Sequence, residues 1–242
     1  MDVPSKMIPW IGCALVSFAA TACGGSEDGV PIDSTLTTIT LTATSTDESA
    51  VAVGSEDAAL GVDEVGLSLR SLELAPCAAD AAPLTVEHFP VELSAEPAAQ
   101  ANFESGVSDY CALRLAVEPS PGDDPPELGG LSVLVRGTRS DGVPFEIRSL
   151  LELDVELSSA EAFGSAYLAL GFDLAAWFSG VDVDGASVSD GVALVDDGTN
   201  ASVLAAFEAN TSAAVALYID ADRDGVLDAD ELDGRVATEE RR

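Results

Sequence analysis

From residue 35 onward, apolar side chains recur at every second position. In the threonine-rich stretch Thr35 to Thr46, Ile39, Leu41 and Ala43 alternate with threonines. Val65, Leu67 and Leu69 share one face, and Leu72 and Leu74 continue in shifted phase, as a strand with a bulge would. Cys111, Leu113, Leu115 and Val117 lie opposite Arg114 and Glu118. The clearest alternation runs from Phe145 to Leu157. Phe145, Ile147, Leu151, Leu153, Val155 and Leu157 face one way, and Glu146, Arg148, Glu152, Asp154 and Glu156 face the other. A helix has period 3.6 and cannot produce this pattern, so the span reads as a strand. Leu168, Leu170, Phe172 and Leu174 predict another strand, and Val215, Leu217 and Ile219 a further one.

Turn residues punctuate these segments: Pro119 to Pro126, Gly129-Gly130, Asp141-Gly142 and Asp197-Gly198. Asp141-Gly142 lies between Leu131–Thr138 and the strand that begins at Phe145, which suits a hairpin. The best helix candidate is Asn200 to Ala209, with Val203, Leu204 and Phe207 on one side. Short strands with regular turns predict an all-β fold, an antiparallel β-sandwich of immunoglobulin-like or transthyretin-like type with one short helix. Four segments are expected: a signal peptide over 1–22, a flexible tether over 23–33, the sandwich over 34–212, and a strand, loop and tail over 213–242.

Composition sharpens this picture in two ways. Aromatic content is 5% and hydrophobic content 47%, so the core must be built from Val, Leu, Ile and Ala. The net charge is −33, and Lys6 is the single lysine. A field of that sign repels nucleic acid and anionic membrane surfaces, so no nucleic-acid partner is expected. The acids are spread along the chain and not run together in a tail, which favours surface hydration over carboxylates that gather divalent cations at several places.

The N-terminus has its own grammar. Lys6 precedes a mostly apolar run, Met7 to Ala20, too short for a spanning helix of about 20 residues. It fits the apolar region of an export signal. Ala20-Thr21-Ala22-Cys23 resembles the bacterial lipobox, in which the cysteine is diacylated and becomes the new N-terminus. Ala20 stands where leucine is commoner, and Ala20-x-Ala22 also suits ordinary signal peptidase, so simple secretion is the alternative. Lipidation of Cys23 leaves Cys77 and Cys111 as an even pair, expected to be oxidised outside the cytoplasm. Two buried reduced cysteines are the other reading. The lipobox implies attachment to a membrane through an N-terminal lipid anchor. Gly24 after the cysteine, in place of an inner-membrane-retaining Asp, favours the outer membrane.

Residues 220–231 read Asp-Ala-Asp-Arg-Asp-Gly-Val-Leu-Asp-Ala-Asp-Glu. Calcium takes six to eight oxygens, and a 12-residue loop supplies them from fixed positions. Asp220, Asp222 and Asp224 stand at positions 1, 3 and 5, and Gly225 at the sharp turn of position 6. Val226 offers a backbone carbonyl at position 7, Asp228 stands at position 9, and Glu231 at position 12 can bind through both oxygens. Leu227 is the aliphatic anchor. The stretch resembles an EF-hand loop at each diagnostic position, which implies Ca2+ as the ligand. The flanks differ from an EF-hand: a strand precedes the loop, and Leu232 to Arg242 is expected to form only a short helix. A single loop of this kind binds weakly, with Kd of roughly 10⁻⁴ to 10⁻³ M, and serves structure more than signalling.

Other chemistry is sparse. His88 is the single histidine and reads as an ordinary strand residue. No Gly-x-Ser-x-Gly elbow or phosphate-cradling glycine loop is present, and no enzymatic activity is expected. Asp182-Val183-Asp184-Gly185 and Asp196-Asp197-Gly198 read as turns. The chain as a whole resembles the unassigned exported lipoproteins of Gram-negative bacteria, a likeness that rests on the lipobox and the calcium loop. The expected role is a cell-envelope lipoprotein stabilised by calcium. The alternative is a calcium-assisted glycan- or protein-binding surface module, which exposure of Trp177 near the loop would favour.

Overall fold

Alternation becomes strand at nearly every expected place because extended backbone sends successive side chains to opposite faces, and here one face has a core to fill. The computed structural model describes residues 37–46, 60–93, 99–105, 109–122, 128–164, 167–212 and 214–239. These belong to the unit Thr35–Arg242. Cys23 and the segments read as signal peptide and tether lie outside the described residues.

The elements run β1 Thr37–Ser45, β2 Gly61–Pro76, β3 Leu84–Glu92, β4 Ala99–Ser105, β5 Tyr110–Val117, β6 Val133–Thr138, β7 Pro144–Ser149, β8 Leu153–Phe163 and β9 Tyr167–Phe172. They continue with α1 Leu174–Trp177, β10 Ala193–Val195, α2 Ala201–Thr211, β11 Val215–Ile219, α3 Ala229–Leu232 and β12 Arg235–Glu239. One curled sheet joins the strands along the path β10-β7-β6-β2-β5-β8-β12-β11-β9-β1-β4, with β3 paired to β2.

The sheet is mixed, which corrects the expected purely antiparallel one. β1 pairs with β9 in parallel, and β10 with β7. Parallel neighbours need a long crossover in place of a tight turn, and in both cases the chain makes other elements between the partners. Three helices, not one, are present among the described residues. α2 falls on the predicted span, with Leu204 and Phe207 buried. Leu174, expected in a strand, instead opens α1, where the Asp173 carboxylate accepts from Ala176 N–H at 2.8 Å and caps the turn.

The 13-residue alternation from Phe145 is two strands. β7 pairs with β6 and β10, whereas β8 pairs with β5 and β12. Between them the chain leaves the ladder at Ser149, whose Oγ accepts from Leu151 N–H at 3.0 Å and whose carbonyl accepts from Ser132 Oγ at 2.9 Å. Leu150 points outward at 53% exposure. The apolar phase survives the break, so Phe145, Ile147, Val155 and Leu157 are all buried. The bulge expected in β2 is present, as a register shift against β5 between Leu69 and Ser71. The Asp141-Gly142 hairpin also forms, with Arg139 N–H on Val143 O at 2.9 Å.

Five aromatics, Phe145, Phe172, Trp177, Phe178 and Phe207, form one connected cluster in the core. Trp177 is fully buried and meets Phe172 and Phe207 edge-on, at centroid distances of 6.0 and 5.8 Å. The disulfide Cys77–Cys111 ties the end of β2 to the start of β5. On the chain-entropy account, closing a loop of 34 residues contributes about 3–4 kcal/mol.

On the outer face, arginines of middle strands are flanked by glutamates on both neighbours. Register places Glu73, Arg114 and Glu156 in one row and Glu64, Arg136 and Glu146 in another. Arg136 reaches Glu64 at 2.8 Å and Glu146 at 2.9 Å, and Arg148 also binds Glu146. Burial pushes the Glu146 carboxyl up, but hydrogen bonds from Arg136 and Arg148 outweigh it and hold the group below its ordinary value. A depressed carboxyl contributes stability above its unfolded value and loses it as pH falls through the folded one. Glu146→Gln is therefore expected to melt lower than the natural protein at pH 7, with the gap closing as pH drops below 4.5, checked by thermal denaturation across an acid series.

Candidate metal centre

β11 carries the chain into the acidic loop. It pairs with β9 over five positions, from Val215↔Phe172 to Ile219↔Leu168. Val215 and Leu217 enter the main core as expected. Ala216 and Tyr218, on the other face, are buried too, at 6% and 3% exposure. The cause is the loop itself, which folds back over that face. Leu227 packs there at 2% exposure in a small cluster with Ala169, Ala216, Tyr218 and partly buried Leu232.

Gly171 makes this docking possible. A Cβ added at Gly171 would lie 2.8 Å from Leu227 Cδ1, from Tyr218 Cε2 and from Thr46 Cγ2. The bare backbone of β9 thus serves as the seat for the loop's aliphatic anchor. Gly225 approaches β1 closely as well, since a Cβ there would stand 3.3 Å from Thr42 Cγ2. Its φ of 81° is the left-handed turn that position 6 of the loop requires. Arg223 also adopts a positive φ, 71°, and its guanidinium lies over the Tyr167 ring at 4.4 Å.

Within the loop, carboxylate oxygens of Asp220, Asp222 and Asp224 lie within 4.8 Å of one another. Asp220 is buried at 4% exposure and accepts from Arg223 N–H at 2.6 Å and Gly225 N–H at 3.2 Å. Asp222 accepts from Asp224 N–H at 3.2 Å, and Asp224 from Val226 N–H at 2.8 Å. Glu231, at 8% exposure, stands outside this cluster of three. Its Oε1 accepts from Ala221 N–H at 2.5 Å and its Oε2 from Asp228 N–H at 3.3 Å. Asp228 is exposed and N-caps α3. Val226 is 46% exposed. The fold therefore gathers three of the sequence-read ligands and holds Glu231 beside them on backbone amides.

Burial holds the Asp220 carboxyl above its ordinary range, aided by the charges of Glu231 and Asp222 and opposed by the Arg223 and Gly225 amides. No arginine forms an ion pair with Asp220 or Glu231 among the described residues. An all-oxygen donor set of this kind suits a hard divalent cation and not a soft metal.

After the loop the expected short helix is corrected. α3 comes earlier, at Ala229–Leu232, and Arg235–Glu239 forms β12. The segment finds hydrogen-bonding partners on both β8 and β11, and these override a sequence with little strand signal of its own. Gly171, Thr42 and Tyr167 were not singled out by sequence reasoning. A lone glycine inside an apolar strand pattern is the one signal that could have pointed to a close approach at Gly171.

The remaining candidates fall outside the centre. Asp182 and Asp196 close their own turns, accepting from Gly185 and Gly198 N–H, each at 2.9 Å. His88 is exposed on β3, where a φ of 54° interrupts pairing with β2. Trp177 is fully buried, so the exposed aromatic that would favour a binding module is not supplied by that residue.

No protein-family model matches the chain, and no curated protein matches it. Among solved structures it is similar to MbnP from Methylosinus trichosporium, at 10% identity and a TM-score of 0.42, over 65% of this chain and 82% of that one. A likeness so distant carries no functional statement.

Gly171→Ala is expected to force Leu227 off β9, destabilising the protein by about 1–3 kcal/mol. Denaturant unfolding checks the loss, and tryptophan fluorescence checks that the core around Trp177 keeps its native signal.

Proposed function

We propose that this chain is an exported cell-envelope lipoprotein of β-sandwich type that holds one calcium ion in the loop 220–231, chiefly to stabilise its fold. The observation that carries the reading is the coincidence of an EF-hand-type ligand order with a cluster of Asp220, Asp222 and Asp224 oxygens within 4.8 Å. A bound ion would offset the repulsion among Asp220, Asp222, Asp224 and Glu231, with which no arginine forms an ion pair among the described residues. It would draw on the three aspartates, the Val226 carbonyl, Asp228 and Glu231. Loss of three or more Asx-type bonds to the loop's own amides would be compensated by ion–oxygen bonds. Weak affinity matches a compartment where calcium is plentiful.

The lipid anchor rests on Cys23 and its lipobox-like context, and the disulfide Cys77–Cys111 is in keeping with an oxidising compartment. Attachment at the outer membrane follows from Gly24, with simple secretion as the alternative if the mature N-terminus is not acylated. Mass spectrometry of the mature protein is expected to show a diacylated Cys23 at the N-terminus; an unmodified N-terminus would remove the anchor.

Calcium at 10 mM, some 10–100 times the expected Kd, should stabilise the protein by about 1.4–2.7 kcal/mol. A melting series against calcium tests this, with Asp220→Asn and Glu231→Gln expected to abolish the shift. No shift at millimolar calcium in the natural protein would sink the calcium reading.

A further inference from the structure

The loop does more than decorate the sheet, because of where its two ends lead. Position 1, Asp220, follows β11, which is held by five residue pairs to β9 and buries Val215 and Leu217 in the core. Position 12, Glu231, leads through α3 into β12. That strand lies between β8 and β11 on the hydrogen-bonded path, and so joins β10-β7-β6-β2-β5-β8 to β11-β9-β1-β4.

β12 is weakly held for a strand in that position. Its register with β8 covers Thr238↔Ser158 and Glu239↔Leu157. With β11 it covers Ala216↔Thr238, Leu217↔Ala237 and Tyr218↔Arg235, with a shift between Leu217 and Tyr218. Ala237 is its one fully buried side chain, with Val236 partly buried against the core. One buried side chain and few ladder pairs among the described residues place such a strand at the low end of local stability. If it left, the facing edges of β8 and β11 would present unpaired N–H and C=O groups beside Leu157 and Leu217.

We propose that the β11–β12 hairpin is a cation-dependent clasp, in which an ion bridging Asp220 on the fixed side to Glu231 on the movable side locks β12 into the sheet. This rests on the calcium reading of the loop and extends it from local stabilisation to closure of the sheet. The Asp220 and Glu231 carboxylates are both more than nine-tenths buried, Glu231 accepts from the Ala221, Asp222 and Asp228 amides, and each residue is a ligand position for the proposed ion. With it, occupancy and β12 docking become one equilibrium, and the coupling must run in both directions.

Hydrogen exchange read by mass spectrometry on the full chain, in millimolar calcium and in chelator, tests the clasp, with calorimetry reporting binding in the same buffers. Amides of β12 and of its partners at 157–158 and 216–218 are expected to gain protection together, by about tenfold, while β1 stays unchanged. Binding seen by calorimetry with protection confined to 220–234 would overturn the clasp and leave the calcium site standing. Absence of binding would overturn both. Ala237→Ser supplies the reciprocal test, since it touches no ligand. It is expected to weaken calcium binding about tenfold, and an unchanged affinity would overturn the clasp.

Discussion

A surplus of 33 negative charges, with ten basic residues in the whole chain to set against it, is the constraint on which the rest of this structure depends. Carboxylates must either stay in water or find positive partners, and positive partners are scarce. The sheet meets this by economy of placement. Arg114 and Arg136 each sit on a middle strand, so a single guanidinium serves a glutamate on either side. The planar five-donor fork of arginine allows this geometry, which a lysine's point charge would not match. Arg139 is used differently, buried against the Ala186 carbonyl and beside Asp141 and Asp184, where it binds the β6–β7 hairpin to the turn at 182–186.

The loop 220–231 is the place where that economy ends. Its acids are gathered and no arginine is turned toward Asp220 or Glu231 among the described residues; the nearest in sequence, Arg223, lies on the Tyr167 ring. Backbone amides satisfy the carboxylate oxygens, which accounts for the hydrogen bonds but not for the charge. The calcium ion proposed for this loop would balance that charge, and an oxygen-only set suits a hard cation better than a softer metal. The loop is also not free-standing. Leu227 seats on the bare backbone at Gly171, and Gly225 abuts Thr42, so the geometry of the site is referred to the rigid sheet and not to a pair of flanking helices.

How much of this was legible beforehand differs by element. Ile39 and Leu41, Leu67 and Leu69, and Leu113 and Leu115 alternate cleanly and are all buried, because period two is a property of extended backbone and needs no knowledge of partners. The hairpin at Asp141-Gly142 and the helix after Asn200 were readable for the same reason: turn and helix chemistry act over a few residues. The span from Phe145 to Leu157 was misread as continuous, since a strand that changes neighbours can keep its phase across the break. β12 was unreadable, because Arg235–Glu239 carries almost no apolar signal and becomes a strand through the ladders offered by β8 and β11.

The sequence by itself determined the alternating core strands and the order of acidic residues from Asp220 to Glu231, both of which depend on spacing along the chain. Which strands become neighbours was decided only in the tertiary structure. So were the parallel pairs β1·β9 and β10·β7, the seat for Leu227 at Gly171, and the insertion of β12 between β8 and β11. These rest on surfaces that meet from positions far apart in sequence, and no local pattern encodes the meeting.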